Sequence, residues 1–203
     1  MATSVAWFPL LVTGCGQGDA ARTAQETKPV SDEVVAVAPA AASLPITLEP
    51  GNWEAVQAHV AKSAGKIVVV DLWSTSCVPC IEELPYLGQL QRDQSDHVVC
   101  ISLSLDYIGI KSKPPESYRE RVEKTLERCD VQVRNFLCTT DADTVFRELD
   151  LPSIPAVYVY GADSQLVQRF DASSLKEGSD QEEPFTYRTD ILPLVNQLIV
   201  ELD

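Results

Sequence analysis

The sequence predicts an α/β fold with a mixed central β-sheet covered by helices on both faces. Three observations predict it. Strand-like and helix-like segments alternate through the middle of the chain. Two of the strand segments, Lys66 to Trp73 and Val98 to Leu105, are near-continuous apolar runs, as strands of a parallel sheet covered on both faces are. The chain then closes with a hairpin pattern and a terminal amphipathic helix. With 203 residues, 45% of them apolar, one domain with its own core and a modest extension can form.

Residues 1–15 read as a targeting segment. Val5 to Val12 is apolar but too short to span a bilayer, and has the length of a signal-peptide core. It runs into Val12-Thr13-Gly14-Cys15, which resembles the bacterial lipobox, although no Lys or Arg precedes it. That resemblance implies cleavage before Cys15, a lipid on Cys15 and a membrane tether. Residues 16–44 are rich in Ala, Thr, Gln, Asp and Pro and read as a flexible linker, burying too little to offset their ordering entropy. The folded domain is expected over 45–203.

Within it, Asn52 is a helix N-cap candidate, with Trp53, Val56 and Val60 on one helical face and Gly65 ending the helix. A strand over 66–73 follows. The next helix is expected from Cys77 to Asp93, its apolar side marked by Ile81, Leu84, Leu87 and Leu90, with Pro85 inside. After the strand at 98–105, Pro114 and Pro115 open a third helix with Tyr118, Val122, Leu126 and Cys129 on its apolar face. A strand over 135–139, a short helix over 144–149, a hairpin of 156–160 and 165–170, an acidic loop over 172–188 and a helix over 191–202 complete the domain.

Chemistry concentrates at Trp73-Ser-Thr-Ser-Cys77-Val-Pro-Cys80, where a buried strand hands over to a helix. Cysteines three apart at a helix start are close enough to close a disulfide. The first sits where free amides and the helix dipole favour an anion, so Cys77 is the candidate nucleophile. Cys80, one turn deeper, is the candidate resolving thiol. Asp71 interrupts the apolar strand, and burial would raise its pKa and fit it to take a proton from Cys80. Glu83 is a second candidate for proton handling. Trp73 reads as packing that shields the sulfurs. Cys100 and Cys129 read as small core residues, with a Cys129–Cys138 disulfide left open.

The stretch Val70-Asp71-Leu72-Trp73, Cys77-Val78-Pro79-Cys80, Glu83 and Pro85 resembles the thioredoxin superfamily, most closely its TlpA-like, membrane-anchored branch. The resemblance implies a thioredoxin-like three-layer sandwich. It also implies that Ile154-Pro155, before the strand at Ala156, is a cis-proline loop that, with Trp73 and Ser76, lines the substrate groove beside the sulfurs. Ser76 stands where the branch commonly has an aromatic residue. The implied activity is thiol–disulfide exchange between the Cys77–Cys80 pair and cysteines of exported proteins, apocytochromes c awaiting haem among them, on the periplasmic side of a membrane. The alternatives are a peroxide-reducing enzyme on the same fold and a non-enzymatic thiol-dependent assembly or metal-handling module.

Composition excludes other classes. A net charge of −14 without a basic run argues against nucleic acid as partner. Among six cysteines only one CxxC occurs, with no second close pair of ligands, so no zinc site is expected. No organic cofactor is expected beyond the Cys77–Cys80 disulfide itself. The expected partners are protein thiols and an upstream electron donor or acceptor, and the domain is expected to be a monomer.

Overall fold

The computed structural model describes residues 46–172 and 185–202. The targeting segment with Cys15, the linker and most of the acidic loop lie outside the described residues. The chain runs β1 (Leu48–Gly51), α1 (Trp53–Lys62), β2 (Ile67–Trp73), α2 (Val78–Asp93), β3 (Val98–Ser104), a 3₁₀ turn (Pro115–Tyr118), α3 (Arg119–Arg128), β4 (Arg134–Cys138), α4 (Ala142–Glu148), β5 (Ala156–Tyr160), β6 (Leu166–Phe170), a π turn (Tyr187–Ile191) and α5 (Leu192–Val200). The six strands stand in the order β1-β4-β3-β2-β5-β6. The first four in that order are mutually parallel, and β5 and β6 are antiparallel to their neighbours. This is the mixed sheet the sequence predicts.

The period of two along β2 divides the core. Ile67, Val69 and Trp73 pack with α2, α3 and α5 through Leu84, Leu87, Val122, Leu126 and Val195. Val68, Val70 and Leu72 pack on the other face with Val56 and Val60 of α1 and Val145 of α4. Every residue of β2 is buried, which is why the strand could carry an almost unbroken apolar run. Asn52 caps α1 by accepting from the Ala55 N–H at 3.0 Å.

The structure corrects several boundaries. Leu48–Gly51 is a strand that the sequence did not announce, since Pro50 and Gly51 disfavour one; at the sheet edge, paired on one side alone, a proline is tolerated. The 144–149 helix starts at Ala142, because Asp141 caps it through the Thr144 N–H at 3.0 Å. The polar stretch expected to be loop up to 188 is already a helical turn from Tyr187, capped by Thr186. The prolines at 114 and 115 open a 3₁₀ turn, and α3 proper follows it. Cys100, Cys129 and Cys138 are free buried thiols, so the Cys129–Cys138 disulfide is not formed.

Candidate active site

β2 ends at Trp73 in the middle of the sheet, and the next residues turn directly into α2. Cys77 is the N-cap of that helix, Pro79 lies in its first turn, and the Cys80 N–H donates to Cys77 Sγ at 3.3 Å. The two cysteines form a disulfide, with their Cα atoms 5.3 Å apart. Their exposure is unequal. Cys77 is half-buried at the rim, whereas Cys80 is 2% exposed and faces the core below α2. An incoming thiol therefore meets Cys77 first.

Asp71 lies two residues before Trp73 and so points to the same side of the sheet, beneath α2. It is buried, and its Oδ2 accepts from the Tyr187 hydroxyl at 2.7 Å. Its Oδ1 has no hydrogen-bond partner among the described residues. Burial pushes the Asp71 carboxyl from 3.8 up to about 7; the Tyr187 hydrogen bond opposes that rise and the Glu83 charge adds to it. Glu83, half-buried on α2, accepts from the Tyr187 backbone N–H at 2.7 Å. Burial, and after it the Asp71 charge, push the Cys100 thiol far up, so it stays protonated. The structure thus gathers Asp71, Cys80 and Glu83 on one side of the sheet.

The Ile154–Pro155 peptide bond is cis. Because Leu72 pairs with Ala156 in antiparallel register, that peptide lies at the level of Trp73, at the end of β2 from which Cys77 departs. Ile154 and Cys77 both pack against the core cluster that contains Trp73 and Cys80. Trp73 is fully buried, its indole N–H without a hydrogen-bond partner among the described residues. Ser76 is exposed, and its backbone N–H donates to Ser74 Oγ at 3.1 Å while the two hydroxyls lie 2.7 Å apart.

Three residues of this region were not anticipated. Asp106, fully buried, holds the loop before Cys77: its carboxylate accepts from the Thr75 N–H and hydroxyl and from Ser104 Oγ at 2.9 Å, and pairs with the Arg121 guanidinium. Arg121 in turn lies 4.8 Å over the Tyr118 ring. The available signal was an acidic residue just past the carboxyl end of a parallel strand, next to the strand that carries the cysteines. Tyr187 gave no local signal, since its role depends on a partner 116 positions away. Among the described residues no cluster of metal-ligating side chains occurs, and no helix is long and apolar enough to cross a membrane.

No family profile and no curated protein matches the sequence. Solved structures do. A thioredoxin-like protein in its oxidised form superposes with a TM-score of 0.50 at 16% identity, covering 68% of this chain and 80% of that one. The exposed lipoprotein thioredoxin of Streptococcus pneumoniae gives 0.48 at 16% identity, over 68% of this chain and 90% of its own. A secreted disulfide oxidoreductase of Mycobacterium tuberculosis gives 0.46 at 16% identity, over 69% and 85%. With the strand order and layering above, the first of these shows a thioredoxin-like α/β fold.

Proposed function

We propose that this thioredoxin-like chain is a thiol–disulfide oxidoreductase that exchanges the Cys77–Cys80 pair with cysteines of exported proteins. The observation that carries the reading is the disulfide between a half-exposed helix-capping Cys77 and a buried Cys80, on the side of the sheet that also holds the buried Asp71.

In the reducing direction, Cys77 reacts as a thiolate, favoured by the amides and dipole at the start of α2. It attacks one sulfur of a partner disulfide. The partner S–S bond breaks, one partner sulfur leaves as a thiol after gaining a proton, and Cys77 is left in a mixed disulfide. Cys80 then gives its proton to Asp71 and attacks Cys77 Sγ. The Cys77–Cys80 bond forms, the mixed disulfide breaks, and the second partner sulfur leaves and is protonated. Two electrons and two protons pass from the dithiol to the partner, and the reverse sequence oxidises a partner dithiol. With a pKa near 7, Asp71 is matched to accept and return a proton at neutral pH. The rim formed by Trp73, Ser76, Ile154 and Pro155 would take the partner's extended chain. The lipobox-like Cys15 supports a tether that holds the domain on the periplasmic side of a membrane, where exported proteins, apocytochromes c included, acquire or lose disulfides.

The test is trapping. Cys80→Ser should accumulate a mixed disulfide through Cys77 with a disulfide-bearing protein substrate, and Cys77→Ser should accumulate none. In the reduced chain Cys77 should alkylate at neutral pH about ten-fold or more faster than free cysteine. Equal sluggishness of both thiols would overturn the assignment.

A further inference from the structure

Asp71 and Glu83 belong to different elements, β2 and α2. A single residue from a third element joins them. Tyr187 is fully buried; its hydroxyl donates to Asp71 Oδ2 and its backbone N–H donates to Glu83 Oε2, each at 2.7 Å. We propose that Tyr187 is a positioning residue of the redox site, holding both carboxylates in one hydrogen-bonded unit and fixing the charge that Asp71 presents on the side of the sheet where Cys80 is buried. The proposal rests on the redox reading above for its chemical purpose, but not for its geometry.

The placement is over-determined. Thr186 caps the turn by accepting from the Thr189 N–H at 3.1 Å, and its own N–H donates to Asp190 Oδ2 at 3.0 Å. The π turn, closed by Ile191 N–H to Thr186 C=O at 3.3 Å, leads straight into α5. The Tyr187 ring stacks near Tyr86 of α2, centroids 6.3 Å apart. The backbone N–H and the ring are therefore held by different neighbours, and the hydroxyl has little freedom to leave Asp71.

Its electrostatic effect has a definite sign. The groups acting on Asp71 are Glu83 from α2, Cys100 from β3, and Tyr187. None is a cation. The residues β5 contributes to this side, Val157 and Val159, are apolar. Among the described residues Tyr187 is the one group stabilising the anion. Burial first, and then the Asp71 charge, hold the Tyr187 phenol well above its ordinary value, so it remains a donor throughout the working range. Without that donor the carboxylate would be buried with both oxygens unpaired, and it would hold its proton to higher pH.

The experiment uses the oxidised chain and carbon NMR of the Asp71 carboxyl and the Tyr187 Cζ. In the wild type the Tyr187 Cζ shift should follow the Asp71 titration with the same midpoint. In Tyr187→Phe the Asp71 midpoint should rise by about one pH unit, a ten-fold change in proton occupancy at fixed pH. The acid limb of disulfide exchange should move up with it, which a merely structural role for the ring would not cause. A flat Tyr187 Cζ shift through the Asp71 titration, or an unmoved Asp71 midpoint in folded Tyr187→Phe, would overturn the proposal. The wild-type measurement decides even if the variant does not fold. A chain that shows the coupled titration but exchanges no disulfide would uphold the Tyr187 unit and remove the redox reading; a chain that exchanges disulfides with an uncoupled Tyr187 would do the opposite.

Discussion

Replacing Asp71 with Asn should make the protein more stable at pH 8 and leave it unchanged in acid. The native carboxyl titrates at about 7, against 3.8 in an unfolded chain, because burial disfavours its charge. The folded state therefore binds more protons than the unfolded state between those two values, and its stability falls as pH rises through that window. The displacement corresponds to about 4 kcal/mol at 1.36 kcal/mol per unit, an upper bound that local relaxation will reduce. Asn keeps a carbonyl oxygen that can accept from the Tyr187 hydroxyl, so the exchange removes the charge and spares the hydrogen bond. Urea unfolding of the oxidised proteins would measure it. With a slope of roughly 2 kcal/mol/M, the Asp71→Asn midpoint should lie about 1–2 M higher at pH 8 and converge with the wild type near pH 4. Because other groups titrate in the same range, the difference between the two proteins is the quantity to follow. If that difference were constant from about pH 4 to 8, or if the wild type were the more stable at pH 8, the argument that Asp71 is held against its ionised form would fail.

Other expectations follow from single contacts. Asp106→Asn weakens the pairing with Arg121 and the clamp on Thr75; it should cost about 1–3 kcal/mol in unfolding and slow Cys77 alkylation in the folded, reduced chain. Pro85 cannot donate to the Ile81 carbonyl four residues before it, and Cys129 Sγ lies 3.9 Å from that oxygen as a substitute donor. Cys129→Ala should therefore cost about 0.5–1 kcal/mol, and less in a Pro85→Ala background where an N–H is restored, a coupling that a double-mutant cycle of urea midpoints reads directly. A Cβ at Gly88 would stand 2.5 Å from the Asp130 carbonyl oxygen; Gly88→Ala should lower stability by about 1–3 kcal/mol by forcing α2 away from the α3–β4 connection, seen as a lower Tm.

The sequence made β2 and α2 legible because each carries its own signal within a few residues. A doubly covered strand must be apolar on both faces, so the polar Asp71 stood out against it. A helix start needs a cap, and Cys77 occupies that place. The boundaries that moved did so where a side chain outside the apolar pattern decides, as with Asp141 capping α4. β1 was hidden because its residues, Leu-Glu-Pro-Gly, have no strand character of their own and take their conformation from pairing with β4. Asp106 and Tyr187 were hidden for the same physical reason. A buried carboxylate announces a need for donors, but the donors can arrive from any element that the topology brings near. Thr75, Ser104 and Arg121 converge on Asp106 from three segments, and Tyr187 reaches Asp71 from the far end of the chain.

The unequal exposure of the two sulfurs decides where that hidden charge can act. An external thiol or disulfide can approach Cys77 at the rim but not Cys80, which lies on the buried side of the first turn of α2. In the proposed cycle every bond to a partner is therefore made and broken at Cys77, and the helix start supplies the stabilisation of its thiolate. Cys80 is shielded from solvent in the disulfide form, so in this cycle its proton goes to an acceptor inside the protein, and Asp71 is buried on the same side of the sheet. The two halves of the reaction thus separate by element: α2 governs attack, and β2 with the Tyr187 turn governs resolution. Asp71→Asn should then leave the alkylation rate of Cys77 in the reduced chain almost unchanged while prolonging the mixed disulfide. Rapid-quench trapping after mixing the reduced chain with a disulfide substrate separates the two steps. Equal slowing of both would mean that Asp71 acts on Cys77 as well, and that burial does not divide the labour between the sulfurs.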